Sequence, residues 1–196
     1  MNKLLGFYEL KDSDLPTIPW EKFDDSVQFD SRKLWTIRSA VYRGNDLNLP
    51  RAVGVCAEEA DKFANNLYKR LEDRGIVIYY PYFCAEKSGT LNVFYNRIII
   101  ESVAADLWNL VTYSEREVTI IIDDKEKQYI GNKSFITDEE MNELLIYAQK
   151  ARQMFSDDIL EGKSILLEWS FAYDSDLYKQ RLGDKYLVFY EARTIS

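Results

Sequence analysis

The sequence predicts an α+β fold with mostly antiparallel sheets and two main helices, and three observations carry that prediction. Amphipathic helical stripes occupy two windows, Ala57 to Arg74 and the stretch that opens at Thr137. β-Branched and aromatic runs fill much of the remainder and follow one another with short turn signals, as in an antiparallel meander. With 46% hydrophobic residues and only 8 Gly and 4 Pro among 196, the chain is too apolar and too poor in turn formers for disorder.

Taken in order, Asn2 to Trp20 opens with a short apolar helical turn, Leu4-Leu5-Gly6-Phe7-Tyr8. Pro16 and Pro19 then favour an extended path. Leu34 to Tyr42 alternates Trp35, Ile37, Ser39 and Val41 against Thr36, Arg38, Ala40 and Tyr42, the period of a strand whose less apolar face carries Arg38. Gly44-Asn45-Asp46 and Leu49-Pro50 are turn-prone. Beyond them Ala60, Phe63, Ala64, Leu67 and Leu71 form one helical stripe, with Gly75 expected as the C-cap. Ile76 to Phe83, Thr90 to Tyr95, Arg97 to Glu101 and Glu117 to Asp123 read as strands, and Asp123-Asp124-Lys125-Glu126-Lys127 as a solvated hairpin tip. Thr137-Asp138-Glu139-Glu140 is a capping box, followed by the buried stripe Met141, Leu144, Leu145, Ala148 and Phe155. Ser164 to Phe171 and Lys185 to Thr194 close the chain as two strands.

No internal repeat, low-complexity block or linker stands out, so residues 1-196 read as a single compact domain; two small lobes sharing a central cleft also suit the length. The net charge of -8 repels phosphate backbones and anionic lipid, so neither nucleic acid nor a membrane surface is expected as a partner. A phosphate site in such a chain has to be a local basic pocket. No apolar run approaches the roughly 20 residues that span a bilayer, and the opening Met1 to Gly6 is too soon interrupted for a signal peptide, so the chain reads as cytoplasmic. Cys56 and Cys84 lie in apolar stretches without metal spacing and are expected as buried thiols. The absence of histidine removes the commonest general base, the commonest zinc ligand and any phosphohistidine relay within the chain.

Charges inside apolar strands are the candidates for chemistry. In Tyr186 to Arg193 a period of two puts Glu191 and Arg193 on one face and Val188, Tyr190 and Ala192 on the other. Glu168 interrupts Ile165-Leu166-Leu167, and pairing the two strands brings Glu168 beside Glu191. Two adjacent carboxylates suit Mg²⁺ completed by substrate phosphates, with an arginine stabilising a transferring phosphoryl group. An ordinary ion pair of Arg193 with either glutamate accounts for the same residues, and periodicity does not choose between them.

Glu168-Trp169 followed by Leu187 to Ile195 resembles the end of the ATP-binding domain of the phosphoenolpyruvate synthase and pyruvate phosphate dikinase family, where an I-E-W segment and a later L-Q-A-R-P segment supply metal-binding side chains and an arginine. Trp35-Thr36-Ile37-Arg38-Ser39-Ala40 is similar to the family's V-R-S-S-A strand, whose arginine contacts ATP phosphates. The helix beginning at Thr137 resembles the one that leads into the I-E-W strand. Ala85 to Thr90 is similar to an S-G-V turn after the hinge strand, and Lys3 to Leu10 with Leu15 to Pro19 resembles the family's opening. The pieces keep the family's order from Lys3 to Arg193.

The resemblance implies an ATP-grasp-like domain with a hinge near residues 76-84. It implies ATP in the cleft with phosphate contacts from Lys3 and Arg38, Tyr80 and Tyr82 on the adenine side, Mg²⁺ on Glu168 and Glu191, and Arg193 as the catalytic arginine. Core packing accounts for the tyrosines equally well. The acceptor of phosphate would be a small molecule or a partner protein that supplies a phosphohistidine; a non-catalytic binding or regulatory module is the alternative. The family's glycine-rich stretch is reduced here to Tyr42 to Pro50, its G-L-G-E turn corresponds to Ala105-Asp106-Leu107-Trp108-Asn109, and Glu191 stands where glutamine is usual.

Overall fold

The structure, a computed structural model, describes residues 1-44, 49-107, 110 and 115-195. Asn45, Asp46, Trp108 and Asn109, on which two expected turns depend, lie outside them. The described chain is a mixed α+β fold of two antiparallel sheets and four helices.

Helix α1 (Lys3–Lys11) is longer than the single turn expected. The Asn2 side chain caps it by accepting from the Leu5 amide at 3.0 Å. The short strand β1 (Glu21–Lys22), β2 (Trp35–Val41), β3 (Ala52–Val55) and β4 (Gly75–Pro81) form a four-stranded sheet in the order β1-β4-β2-β3. Helix α2 (Ala57–Leu71) lies between β3 and β4 in sequence. Its residues Ala60, Ala64 and Leu67 pack with Phe23, Trp35, Ile37 and Val77 on one face of this sheet. Helix and sheet therefore share one apolar layer, with each fully buried large aliphatic side chain contributing about 1.5–3 kcal/mol.

The second sheet has six strands: β5 (Phe83–Val93), β6 (Arg97–Ala104), β7 (Val118–Asp123), β8 (Lys127–Gly131), β9 (Ser164–Ser175) and β10 (Arg181–Ile195), in the order β10-β9-β5-β6-β7-β8. Helices α3 (Asp138–Met154) and α4 (Ser156–Leu160) come before β9. Leu144, Ala148 and Ala151 of α3 pack with Leu91, Ile100, Ile120 and Leu167 of the sheet. The capping box at Thr137 and Glu140 is present as expected. A third cluster draws Phe7 from α1, Ile78 and Tyr80 from the small sheet, and Ala172, Val188 and Tyr190 from the large one. This cluster joins the two sheets, and the chain crosses from one to the other at Tyr82, between β4 and β5.

Four expectations are corrected. Gly75 is not a helix cap: α2 ends at Leu71, a short 3₁₀ turn follows, and Gly75 begins β4 with φ of -175°. Its lack of a side chain matters because a Cβ there would stand 2.3 Å from the Ala40 carbonyl oxygen of the neighbouring strand. Ala85 to Thr90 is not a turn but the middle of β5, where a bulge sets Glu86 out of register. Gly89 answers a close approach, since its Cβ would lie 2.1 Å from the Glu101 oxygen and 2.5 Å from the Trp169 ring. Cys56 is exposed at the start of α2, whereas Cys84 is buried as expected. Strands β3 and β8 add pairings that the residue pattern did not suggest, and the two closing strands run longer, to Ser175 and Ile195.

Candidate functional site

A cavity of about 590 Å³ lies where β2 and β4 of the small sheet face β5, β9 and β10 of the large one. Lys3, Arg38, Tyr80, Tyr82, Glu168, Glu191 and Arg193 all line it. They come from α1, β2, β4, the β4–β5 crossing, β9 and β10, so residues far apart in the chain meet in one place.

The register of the last two strands explains why the carboxylates meet. Glu191 pairs directly with Glu168 across β10 and β9, and the next registered pair is Phe189 with Trp169. Tyr190 is thus the additional residue of a β-bulge, which interrupts the period of two. As a result Tyr190 lines the cavity together with Glu191 and Arg193, not on the opposite face as simple alternation predicts. Val188 and Tyr190 pack between the sheets, while Phe189 and Ala192 belong to the apolar layer under α3.

Glu191 is the hub of the site and is 3% exposed. Its Oε2 accepts from Arg38 Nη2 and lies 3.2 Å from Lys3 Nζ. Its Oε1 accepts from Arg193 Nε at 2.7 Å. Burial works against ionisation here, yet Arg38, Lys3 and Arg193 outweigh it and hold the Glu191 carboxyl at about 2.

Arg38 also donates from Nη1 to the Tyr190 carbonyl at 3.3 Å. Its guanidinium lies 5.4 Å from the Phe7 ring centroid and 5.9 Å from that of Tyr190. Burial opposes the charge on Arg38, but Glu191 and then Tyr80 and Glu168 carry its pKa above the ordinary value, so it remains a cation. Lys3 behaves differently. Burial and then Arg38 bring its ammonium down to about 8, against the pull of Glu191 and Glu168. Glu168 is raised to about 7, by burial first and by Glu191 second, with Arg38, Lys3 and Arg193 opposing. Two groups in the cavity therefore titrate near neutral pH.

The aromatic side of the cavity is divided. Tyr80 is 4% exposed and stacks on Phe83 with 6.4 Å between ring centroids, which is a core role. Tyr82 is half-buried, and Lys179 Nζ stands 5.6 Å over its ring. Tyr79, on the other face of β4, donates from its hydroxyl to Glu21 at 2.8 Å and packs against Phe29 and Trp35, away from the cavity.

Several lining residues escaped sequence reasoning. Arg51, Lys179 and Arg181 bring the cationic side chains of the lining to six among the described residues, against the three carboxylates Glu168, Glu191 and Asp106. The cavity is therefore locally basic inside a chain of net charge -8, and it suits a polyanion. Ser88 and Ser170 share a hydrogen bond of 2.8 Å in its wall, and Ser88 Oγ donates to the Ala105 carbonyl at 2.6 Å. In the sequence only the basic run Lys179-Gln180-Arg181 could have pointed to any of them, and such a run reads like any solvated tip.

As a metal site the arrangement fits in part. Glu168 presents a carboxylate to the cavity, whereas both oxygens of Glu191 already face cations. Among the described residues no group of three or more His, Cys, Asp or Glu side chains is placed to hold a metal ion. No helix among the described residues is long and apolar enough to cross a membrane.

No family model matches the sequence, and no curated protein matches it. Among solved structures, the chain is similar to macrocyclase MdnC bound with precursor peptide MdnA from Microcystis aeruginosa MRC, at 8% identity and a TM-score of 0.46. The likeness covers 97% of this chain and 51% of that one, so this chain spans about half the length of its structural neighbour. A likeness at this level assigns neither a detailed layout nor an activity.

Proposed function

We propose that the chain is a nucleotide-binding domain of ATP-grasp-like layout, similar to the ATP-binding domain of the phosphoenolpyruvate synthase and pyruvate phosphate dikinase family. ATP would lie in the cavity between the sheets with its polyphosphate toward Lys3, Arg38 and Arg193. The observation that supports this most is the convergence of those three cations with Glu168 and Glu191 in one basic cavity. Tyr82 is the better placed of the two tyrosines to meet a base, because Tyr80 is already packed. Mg²⁺ entering with the nucleotide would engage Glu168 and, once its cations shift to phosphate, Glu191; it would supply charge neutralisation between phosphates. Arg193 would then be the group that faces a transferring phosphoryl. The acceptor would be a small molecule or a histidine of a partner protein, which would become the phosphohistidine, since this chain has no histidine.

A second reading rests on the same hub. Three cations pair with one glutamate in the absence of any nucleotide, and such an ion cluster would equally serve a non-catalytic binding module. Thermal unfolding with and without millimolar Mg²⁺-ATP separates the two. Ligand at about a hundred times its Kd adds about 2.7 kcal/mol, which for a domain of this size raises Tm by about 5–10 °C. Absence of any shift refutes nucleotide binding, and a shift that survives Glu168→Gln combined with Glu191→Gln refutes the assignment of the metal.

A further inference from the structure

The tip of the hairpin that joins β9 to β10 is folded as a unit. Asp176 Oδ1 accepts from the Tyr178 and Gln180 amides, both at 2.8 Å, and the Asp176 amide donates to the Gln180 carbonyl at 3.1 Å. This turn holds Lys179 at a φ of 61°, in the left-handed region. The Lys179 side chain reaches the small sheet. A Cβ on Gly54 of β3 would stand 3.1 Å from Lys179 Cε and 3.1 Å from the Tyr82 ring, so the lysine stem lies in a notch between that glycine and that ring. The Lys179 carbonyl accepts from Cys84 Sγ at 3.3 Å, and Arg181 Nη1 donates to Glu86 at 3.0 Å. Lys179, Arg181, Tyr82 and Cys84 all line the cavity, so the tip bridges the two sheets along one of its walls.

Behind the tip the ladder is broken. Leu182 registers with Asp174 and Tyr186 with Ala172, so Gly183, Asp184 and Lys185 stand against Tyr173 alone. Gly183 has a φ of 71°, and a Cβ on it would meet nothing within 4 Å. Arg181 to Tyr186 are exposed, and β10 enters the core only at Leu187. A short segment with little burial beyond a break in its ladder opens locally at low cost in free energy. We propose that residues 176-182 form a strap over the Tyr82 side of the cavity, closed by the Lys179 stem in the notch between Gly54 and Tyr82 and lifted about Gly183 when a ligand enters. The strap holds whatever the ligand is; under the nucleotide reading, a base that meets Tyr82 takes the place of the Lys179 stem.

Cys84 is buried in that wall and Cys56 is exposed, and these are the two cysteines of the chain. Cys56→Ser therefore leaves Cys84 as the target for N-ethylmaleimide, a small uncharged probe whose entry is followed by the mass it adds. In that background Lys179→Gly removes the stem and suits the left-handed backbone at its position. It is expected to label Cys84 at least about tenfold faster, the factor that about two buried methylenes represent. Lys179→Met keeps most of the stem without the charge and is expected to label within about twofold of the parent. The rates should hardly change in urea well below the unfolding transition, because a local opening exposes little surface. Equal rates in the parent and Lys179→Gly overturn the strap. A Lys179→Met rate as high as that of Lys179→Gly also overturns it, since the closure would then lie in the charge. A rate that climbs steeply from the lowest urea concentrations assigns the labelling to global unfolding and overturns it as well. No nucleotide takes part, so this labelling and the Mg²⁺-ATP thermal shift succeed or fail separately.

Discussion

Replacing Glu191 by glutamine keeps the shape of the side chain and removes the charge on which Lys3, Arg38 and Arg193 converge. Removing one partner of a buried ion pair costs about 3–5 kcal/mol, because the other charge is left without compensation. Two features favour the lower end. Arg193 and Lys3 keep side-chain exposures of 20% and 10%, so water reaches part of their charge. Glu168, whose carboxyl is raised to about 7 partly by Glu191 itself, ionises more readily once that neighbour is neutral. A loss of about 3 kcal/mol corresponds to a fall in Tm of about 6–12 °C for a domain of this size.

The loss should depend on pH in two windows. Glu191 has a folded pKa of about 2 against an ordinary 4.5. Its stabilisation is therefore complete above about 4.5 and is lost as pH falls toward 2, where wild type and variant should converge. On the alkaline side the folded protein releases the Lys3 proton near 8, while the unfolded chain holds it to about 10.5. Stability rises with pH wherever the unfolded state binds more protons. Without Glu191 the Lys3 pKa falls further, so the variant's rise begins at lower pH and its deficit narrows between pH 7 and 9. Urea unfolding of both proteins at pH 3, 7 and 9 checks this. A variant within about 0.5 kcal/mol of wild type at pH 7 would show that the cluster contributes no more than exposed pairs do; a deficit that is the same at all three pH values would refute the titration argument.

Gly6→Ala should displace α1, since the new Cβ would stand 2.0 Å from the Ala192 carbonyl oxygen; a cost of about 1–3 kcal/mol is expected from the overpacking, with weaker ligand-induced shifts because Lys3 moves with the helix. Thr137→Ala removes the oxygen that accepts from the Glu140 amide at 3.2 Å and should cost about 1 kcal/mol in urea unfolding. Glu140 itself should stay in place in that variant, held by Lys87 at 2.6 Å and Lys185 at 2.8 Å, which a crystal structure of the variant would show.

What was legible in the sequence was legible for a physical reason. Arg38, Glu168 and Glu191 stand out because each interrupts a run of β-branched and aromatic residues, and a charge in such a run needs a partner. The pairing of Glu168 with Glu191 followed from placing their two strands side by side. The bulge at Tyr190 did not follow, because an additional residue leaves no mark on an alternating pattern. Arg51 and Arg181 lie outside any apolar run, and only the fold brings them to the cavity wall. Glycine misled twice: Gly75 and Gly89 suggest a cap and a turn, yet both answer the close approach of a neighbouring strand, a demand set by tertiary packing.

The bond from the Thr194 amide to the Met1 carbonyl, at 3.2 Å, and the contact of Lys3 with Glu191 join the two ends of the described chain. During synthesis Lys3 and Arg38 leave the ribosome long before Glu191 does. The small sheet can pair its strands while the translating ribosome is still far from β10, but the cluster cannot be neutralised until that last strand is released. Until then Lys3 and Arg38 lack their Glu191 partner, and the cavity lacks the wall that Tyr190, Glu191 and Arg193 give it.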